Sequence, residues 1–409
     1  MRGWSPNGAS GRGGGIRSRG LSRAPGSRSS GWWSRPGCSG WPSCSSRSSG
    51  SEVAAASVGD SSPMADHRPG TGPATALAIR DPVPWRDMVE IVQTAEQTGY
   101  KALFLPESTG REAFSTLAAL ARHTEVLRLG TGVVTIVARP LPTTVMAAAT
   151  VDQISGGRLV LGLGTGPTGP GALSRLRTFV DLARGALAGE PIEMPDGTRF
   201  TLAIDPPSTP IPIWLAALNP KAMRLAGEIA DGVLLNWCSP ERVAFARERV
   251  HEGAEAAGRD PAAVTVGVYV RACVGQEPEP TLAALRAAAG QYASYPAYRR
   301  QFEAMGLGDE SRRAAEAFAA ADIDRVPEEL VRAVCVLGDT PQAIAAFKAY
   351  REAGADLPVV YPVPLRDPRS SILGTLFALA PHPAVEPWDA TGRGPSLNPF
   401  GSSPPTTTG

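Results

Sequence analysis

Three short stretches of this 409-residue chain gather residue types that can do chemistry. The first is Glu107-Ser108, which with Pro106 follows the apolar run Lys101 to Leu105. A carboxylate at the end of a buried strand can hold or carry a proton. The second is Gly162-Leu163-Gly164-Thr165-Gly166, which ends another apolar run. Small residues at the carboxyl ends of parallel strands are where ligands sit. The third is Ala217-Leu218-Asn219-Pro220-Lys221. Asn219 suits a helix N-cap and Pro220 the first helical position. Free backbone N–H groups and the helix dipole there attract an anion, and Lys221 adds a positive charge. Asn236 and Trp237 end a further apolar run, where they either touch a substrate or close the strand end.

Other chemistries are poorly served. A dinucleotide fingerprint of the G-x-G-x-x-G kind needs a third glycine where Pro167 stands. Cys38, Cys44, Cys238, Cys273 and Cys335 form no CxxC pair, and the four histidines form no HExxH, so no metal is expected. Cys238 has no adjacent cation to favour a thiolate and is expected to be inert. The net charge of +1 gives no reason to expect nucleic acid or a membrane surface as partner. No apolar run reaches the roughly 18 residues that span a bilayer. A reducing, cytoplasmic setting fits the cysteine usage.

The elements that must position these residues alternate along the chain. Leu129 to Ile136 suits a buried strand, Thr143 and Thr144 can cap a helix, Ser155-Gly156-Gly157 stops it, and Arg158 to Leu163 is a second buried strand. Two buried strands joined by one helix make a parallel βαβ unit. Six further strands are expected at Thr75–Ile79, Lys101–Leu105, Ile211–Leu215, Gly232–Leu235, Val264–Val274 and Leu357–Tyr361, with helices between them. Eight such alternations argue for a (β/α)8 TIM barrel over residues 71–365, with a helical insertion near 281–336. In that insertion Tyr292, Tyr295, Tyr298 and Phe302 fall near helical spacing, which suits packing or a subunit contact such as that of a homodimer. Residues 1–70 are rich in Ser, Gly and Arg without hydrophobic periodicity, and read as a disordered tail. Met64 stands just ahead of the first strand and is the expected natural start. Residues 366–409 read as a loosely packed, Pro-rich C-terminal tail.

Three of these stretches, "GTGVVTIVARP", "AAATVDQISGGRLVLGLGTG" and "LAGEIADGVLLNW", resemble the luciferase-like monooxygenase superfamily, and within it the coenzyme F420-dependent oxidoreductases. The resemblance covers roughly residues 74–365. It implies a TIM barrel that binds a flavin or deazaflavin. By resemblance, Thr165 and Gly166 lie against the ring, and Gly132 and Val133 are joined by a cis peptide bond behind it. Thr135 then points at the ring edge. Leu218, Asn219 and Lys221 hold the cofactor phosphate. Several relatives carry an acidic residue and a proton-donating histidine where Glu107 and Ser108 stand. Ser108 departs from that pattern, so Glu107 is the expected catalytic residue, as hydrogen-bond partner to the ring or as proton carrier. Ser108, Asn236 and Trp237 are expected to meet the substrate. The loop after Gly166 is short for the family, which implies a more open pocket or a bulkier substrate.

The implied function is an oxidoreductase that moves a hydride between coenzyme F420 and a small organic substrate. One alternative is an FMN-dependent monooxygenase that uses oxygen. Another is a barrel that binds a flavin or deazaflavin without catalysis. Spacing and composition do not separate the two cofactors, because both carry a tricyclic ring and a phosphate.

Overall fold

The computed structural model describes residues 74–80, 83–166 and 169–381. The expected N-terminal tail of residues 1–70 and the start at Met64 lie outside them. In chain order, β1 (Ala76–Ala78) leads to α1 (Trp85–Gln97) and β2 (Ala102–Leu105) to α2 (Ala113–Ala121). β3 (Arg128–Thr131) and its continuation β4 (Val134–Thr135) lead to α3 (Leu141–Ser155), and β5 (Leu159–Gly164) to α4 (Ala172–Leu187). A small antiparallel ribbon, β6 (Ile192–Glu193) and β7 (Arg199–Phe200), precedes β8 (Ile213–Ala216) and α5 (Pro220–Ile229). β9 (Gly232–Asn236) leads to α6 (Pro240–Ala256). After β10 (Thr265–Val274) comes the insertion, with α7 (Pro278–Ala293), α8 (Pro296–Glu303), α9 (Gly308–Ala319) and α10 (Glu328–Val334). β11 (Cys335–Gly338), α11 (Thr340–Glu352), β12 (Leu357–Pro362) and α12 (Pro368–Ala378) complete the order.

The barrel runs β1-β2-β3-β5-β8-β9-β10-β12, all parallel, and closes where β12 pairs with β1. Its two faces follow from the period-two alternation of each strand. Ala76 and Ala78 of β1 point inside, while Leu77 packs outward against the helices. In β2, Phe104 points inside, and Leu103 and Leu105 point outward. Small residues on some strands make room for large ones on others: a Cβ at Gly232 would stand 2.4 Å from the Trp214 ring. Outside the barrel, Ile91, Leu117, Val145 and Val180 of the surrounding helices are fully buried. Burying each such side chain contributes about 1.5–3 kcal/mol. A separate apolar cluster, with Leu285, Phe302, Leu330 and Trp237, holds the insertion on the barrel rim.

Three local expectations are corrected. Thr143 and Thr144 lie inside the first turn of α3, and Pro140 is its N-cap. Pro142 needs no hydrogen-bond partner at that position, so the helix can begin three residues earlier than a Thr143 cap would place it. The Thr144 N–H and hydroxyl both donate to the Pro140 carbonyl at 3.0 Å. The helix ends as expected, with Gly156 left-handed at φ 70°. The insertion also ends in a strand, since β11 pairs in parallel with the end of β10. Finally, residues 366–381 are not a loose tail. Asp367 caps α12, whose Ile372, Leu373 and Leu376 are buried, and Tyr100 Oη donates to the Leu376 carbonyl at 2.8 Å. Ile372, Leu373 and Leu376 fall on one buried face of this helix. Residues from 382 lie outside the described ones. Among the described residues no helix is long and apolar enough to cross a membrane.

Candidate active site at the carboxyl ends of the strands

A cavity of about 950 Å³ opens at the carboxyl end of the barrel. Of the residues singled out in the sequence, Glu107, Ser108, Gly132, Val133, Thr135, Thr165, Gly166, Leu218, Asn219 and Asn236 all line it. They come from the ends of β2, β4, β5, β8 and β9. Lys221 and Trp237 are absent from its wall.

The inner wall is built from the β4–β5 pair. The peptide bond between Gly132 and Val133 is cis. Val134 and Thr135 pair with Leu163 and Gly164, and the Ile136 N–H donates to the Gly164 carbonyl at 3.0 Å. Tyr269, rising from β10, donates to the Gly132 carbonyl at 2.9 Å. Only glycine fits at 132, because a Cβ there would lie 1.9 Å from the Tyr269 hydroxyl. Gly166 has φ 68°, where a side chain is strained, and its added Cβ would lie 2.5 Å from Val137. The result is a wall of small residues beside Thr135 and Thr165. A flat ring can approach backbone there.

Beyond β8 the cavity meets the start of α5. Asn219 is the N-cap, and its Oδ1 accepts from the Ala222 N–H at 3.0 Å. Lys221 is exposed, and the positive charge at this end of the cavity comes from Arg242 instead. The cap turns position 221 outward, away from the cavity. Arg242, in the first turn of α6, is only 7% exposed. Its Nη2 donates to the Leu218 carbonyl at 3.3 Å, its guanidinium lies 4.6 Å from the Phe245 ring, and its buried Nε has no partner. Burial holds its pKa below the usual arginine range. Among the described residues no carboxylate forms an ion pair with it. An arginine held this way beside a helix N-terminus is suited to an incoming anion.

Glu107 lines the cavity, but its carboxylate is already engaged. Arg139 Nε and Nη2 donate to its two oxygens at 2.8 and 2.7 Å, and the Ala113 N–H donates at 3.0 Å. Arg139 also reaches Glu112, the N-cap of α2, and packs 4.9 Å from the Phe114 ring. This bidentate pair ties the end of β2 to the loop after β4. Glu107→Gln is accordingly expected to lower stability by about 1–3 kcal/mol. A thermal melt reads this directly, and an unchanged midpoint would mean that the pair contributes nothing.

The remaining wall is aromatic and basic. Asn236 Nδ2 donates to the Tyr298 hydroxyl at 2.8 Å, and its Oδ1 accepts from Arg271 Nη1. Trp237 was expected at the substrate, but it is fully buried beneath the wall. With φ 55° it turns its ring into the insertion cluster, 4.9 Å from Tyr292 and 6.3 Å from Phe302. Tyr292, Tyr295 and Tyr298 line the cavity, whereas Phe302 is packing. The tyrosine spacing had suggested packing or a subunit contact. A helical stripe alone does not say whether it faces a core or a cavity. Burial pushes the Tyr298 phenol up, and the Tyr361 phenol up to about 12, so both serve as neutral hydrogen-bonding groups near pH 7.

Sequence reading missed Arg242, Arg271, Tyr269, Tyr361 and Arg139. Arg271 had a visible signal: it is the lone charge in the apolar strand TVGVYVRACV, where burial is unavoidable. Arg242 had none, since Ser239-Pro240-Glu241-Arg242 reads as an ordinary exposed first turn. Cys238 is buried, with its pKa pushed up to about 12 by desolvation, which leaves it an inert thiol at neutral pH. Pro167 and Thr168, in the short loop after Gly166, lie outside the described residues. Among the described residues no group of His, Cys, Asp and Glu is arranged to hold a metal.

The sequence and the fold are similar to those of known proteins. The chain is 34% identical over 188 residues to a 5,10-methylenetetrahydromethanopterin reductase of Methanolobus tindarius, covering 43% of this chain and 57% of that protein. It is 33% identical over 175 residues to an F420-dependent glucose-6-phosphate dehydrogenase of Beutenbergia cavernae, covering 36% and 52% respectively. The chain thus spans little more than half the length of these curated relatives. Its fold matches the structure of a coenzyme F420 dependent tetrahydromethanopterin reductase from Methanopyrus kandleri with a TM-score of 0.66, at 21% identity, over 76% of this chain and 98% of that one. The family model for luciferase-like monooxygenases matches residues 64–357, most of the chain and the barrel strands from β1 to β10. The chain is therefore a member of the luciferase-like monooxygenase family.

Proposed function

We propose that this protein is an oxidoreductase that uses coenzyme F420 to move a hydride to or from a small organic substrate. The observation that carries this reading is the glycine-rich wall from Gly132 to Gly166 with Arg242 and the α5 start beside it. One end of the cavity suits a flat ring and the other an anion. F420-dependent relatives in two reaction classes support the choice of cofactor. The residues fit such a group: Gly132, Gly164 and Gly166 bring backbone to the cavity wall, and Arg242 Nε is buried without a partner.

The bound deazaflavin would supply a carbon centre that gives or accepts a hydride. The chain's own residues would bind and orient it. Thr135 and Thr165 offer hydroxyls to the ring edge. Gly132, Val133 and Gly166 provide a close backbone surface. Asn219, Leu218 and Arg242 take the phosphate end, in place of the role given to Lys221. Arg139, held by Glu107, fixes the loop over this wall. Ser108 and Asn236 face the space left for substrate, and the neutral tyrosines can donate a hydrogen bond to a substrate oxygen.

The FMN-dependent monooxygenase reading rests on the family name, with no residue that selects FMN. Purified protein supplied with reduced F420 under argon, and with a panel of small carbonyl compounds, separates the two. Substrate-dependent oxidation of the deazaflavin without oxygen is expected. Turnover only with FMN and oxygen would overturn the proposal.

A further inference from the structure

Arg271 is a buried cation with no anion of its own. It lies on β10, two residues after Tyr269, so both side chains face the barrel interior. It is 4% exposed and lines the cavity. Its guanidinium stands 4.1 Å from the Tyr361 ring, 4.6 Å from Trp237 and 5.2 Å from Tyr292. Its hydrogen bonds go to the Asn236 amide oxygen and, at 3.4 Å, to the Tyr292 hydroxyl, both neutral acceptors. Among the described residues no carboxylate lies within ion-pair distance. A guanidinium has five N–H donors in a planar fork, so capacity is left over.

Aromatic faces compensate a buried cation only in part. The rest of the arrangement holds Arg271 in place and leaves it open to the cavity. Asn236 is oriented by Tyr298, which fixes its oxygen toward Arg271 and keeps its amide N–H near the same space. The Trp237 and Tyr361 rings both pack against the guanidinium. Such a fork is geometrically matched to a carboxylate, bound through two parallel hydrogen bonds. Tyr269 links this group to the ring-side wall, since its ring lies 5.4 Å from Tyr361 and its hydroxyl bonds to Gly132.

We propose that Arg271, with Asn236 and Tyr292, is the substrate-anchoring site, and that the substrate is a small organic anion carrying a carboxylate. This rests on the cavity being the substrate site of the reading above. Arg242 remains the cofactor's arginine, so the two guanidinium groups have separate partners.

The test is a calorimetric titration of the full chain loaded with F420, using benzoate against benzamide and acetate against acetamide. Each pair shares a shape and differs in charge. The carboxylate of at least one pair is expected to bind about tenfold or more tightly than its amide, as charge-assisted hydrogen bonds do. Arg271→Gln is expected to erase that preference, Arg271→Lys to keep part of it, and neither to change F420 affinity beyond about threefold. No preference for either carboxylate in the wild type overturns the proposal. So does a preference that survives in Arg271→Gln, or a loss of F420 affinity as large as the loss of carboxylate affinity. If Arg271→Gln does not fold, the wild-type pairs and Arg271→Lys decide. The titration can be run without cofactor, so a failure of F420 binding and a failure of the anion site are read separately.

Discussion

Replacing Gly132 with alanine is expected to lower the melting temperature by several degrees and to remove tight cofactor binding. The added Cβ would lie 1.9 Å from the Tyr269 hydroxyl and 2.9 Å from Phe104 Cβ, so one of these rings must move. Neither is free to do so. Phe104 packs 5.5 Å from Trp214 and 6.4 Å from Tyr269, and Tyr269 packs 5.4 Å from Tyr361. Overpacking a filled interior costs about 1–3 kcal/mol, and losing the hydrogen bond to the Gly132 carbonyl adds about 1 kcal/mol. The displaced backbone is also the wall that the ring would meet. Adding Tyr269→Phe removes the closest atom and is expected to recover part of the stability. A single alanine variant with unchanged melting point and cofactor affinity would mean that the wall is not close-packed.

Arg242→Met is expected to weaken cofactor binding about 10- to 100-fold, the range of 1.5–3 kcal/mol for a hydrogen bond to a charged group. The apo protein should not be destabilised, because the variant removes a buried charge that has no ion-pair partner. Affinity and stability therefore move apart, which a purely structural arginine would not allow. Lys221→Ala, at an exposed position off the cavity wall, is expected to change affinity by less than about threefold. Equal losses in the two variants would return the phosphate to the outer side of α5.

The barrel was legible in the sequence because buried parallel strands leave continuous apolar runs, and because Gly156 and Asn219 mark helix ends by their chemistry. The site was legible where it is made of backbone. Gly132, Gly164 and Gly166 must be glycine, and their spacing survives in the sequence as a pattern. It was less legible where it is made of side chains from distant elements. Nothing local distinguishes Lys221, which the cap turns to solvent, from Arg242, which α6 folds under Phe245. The same holds for Trp237 and the tyrosines. A left-handed residue at the end of β9 sends Trp237 inward, while the packing of α7 and α8 decides that Tyr292 and Tyr298 face the cavity. Glu107 was correctly placed at the rim. Its partner, Arg139, lies 32 residues away, so nothing local announced that its carboxylate is held in an ion pair. The helix in residues 368–378 was hidden by the proline-rich composition around it.

The most direct test of the account is a fluorescence titration of the purified full chain with oxidised F420 and, separately, with FMN. Saturable binding of F420 at one molecule per chain, tighter than FMN, is the predicted result. Tighter binding of FMN, or no binding of either, would contradict it.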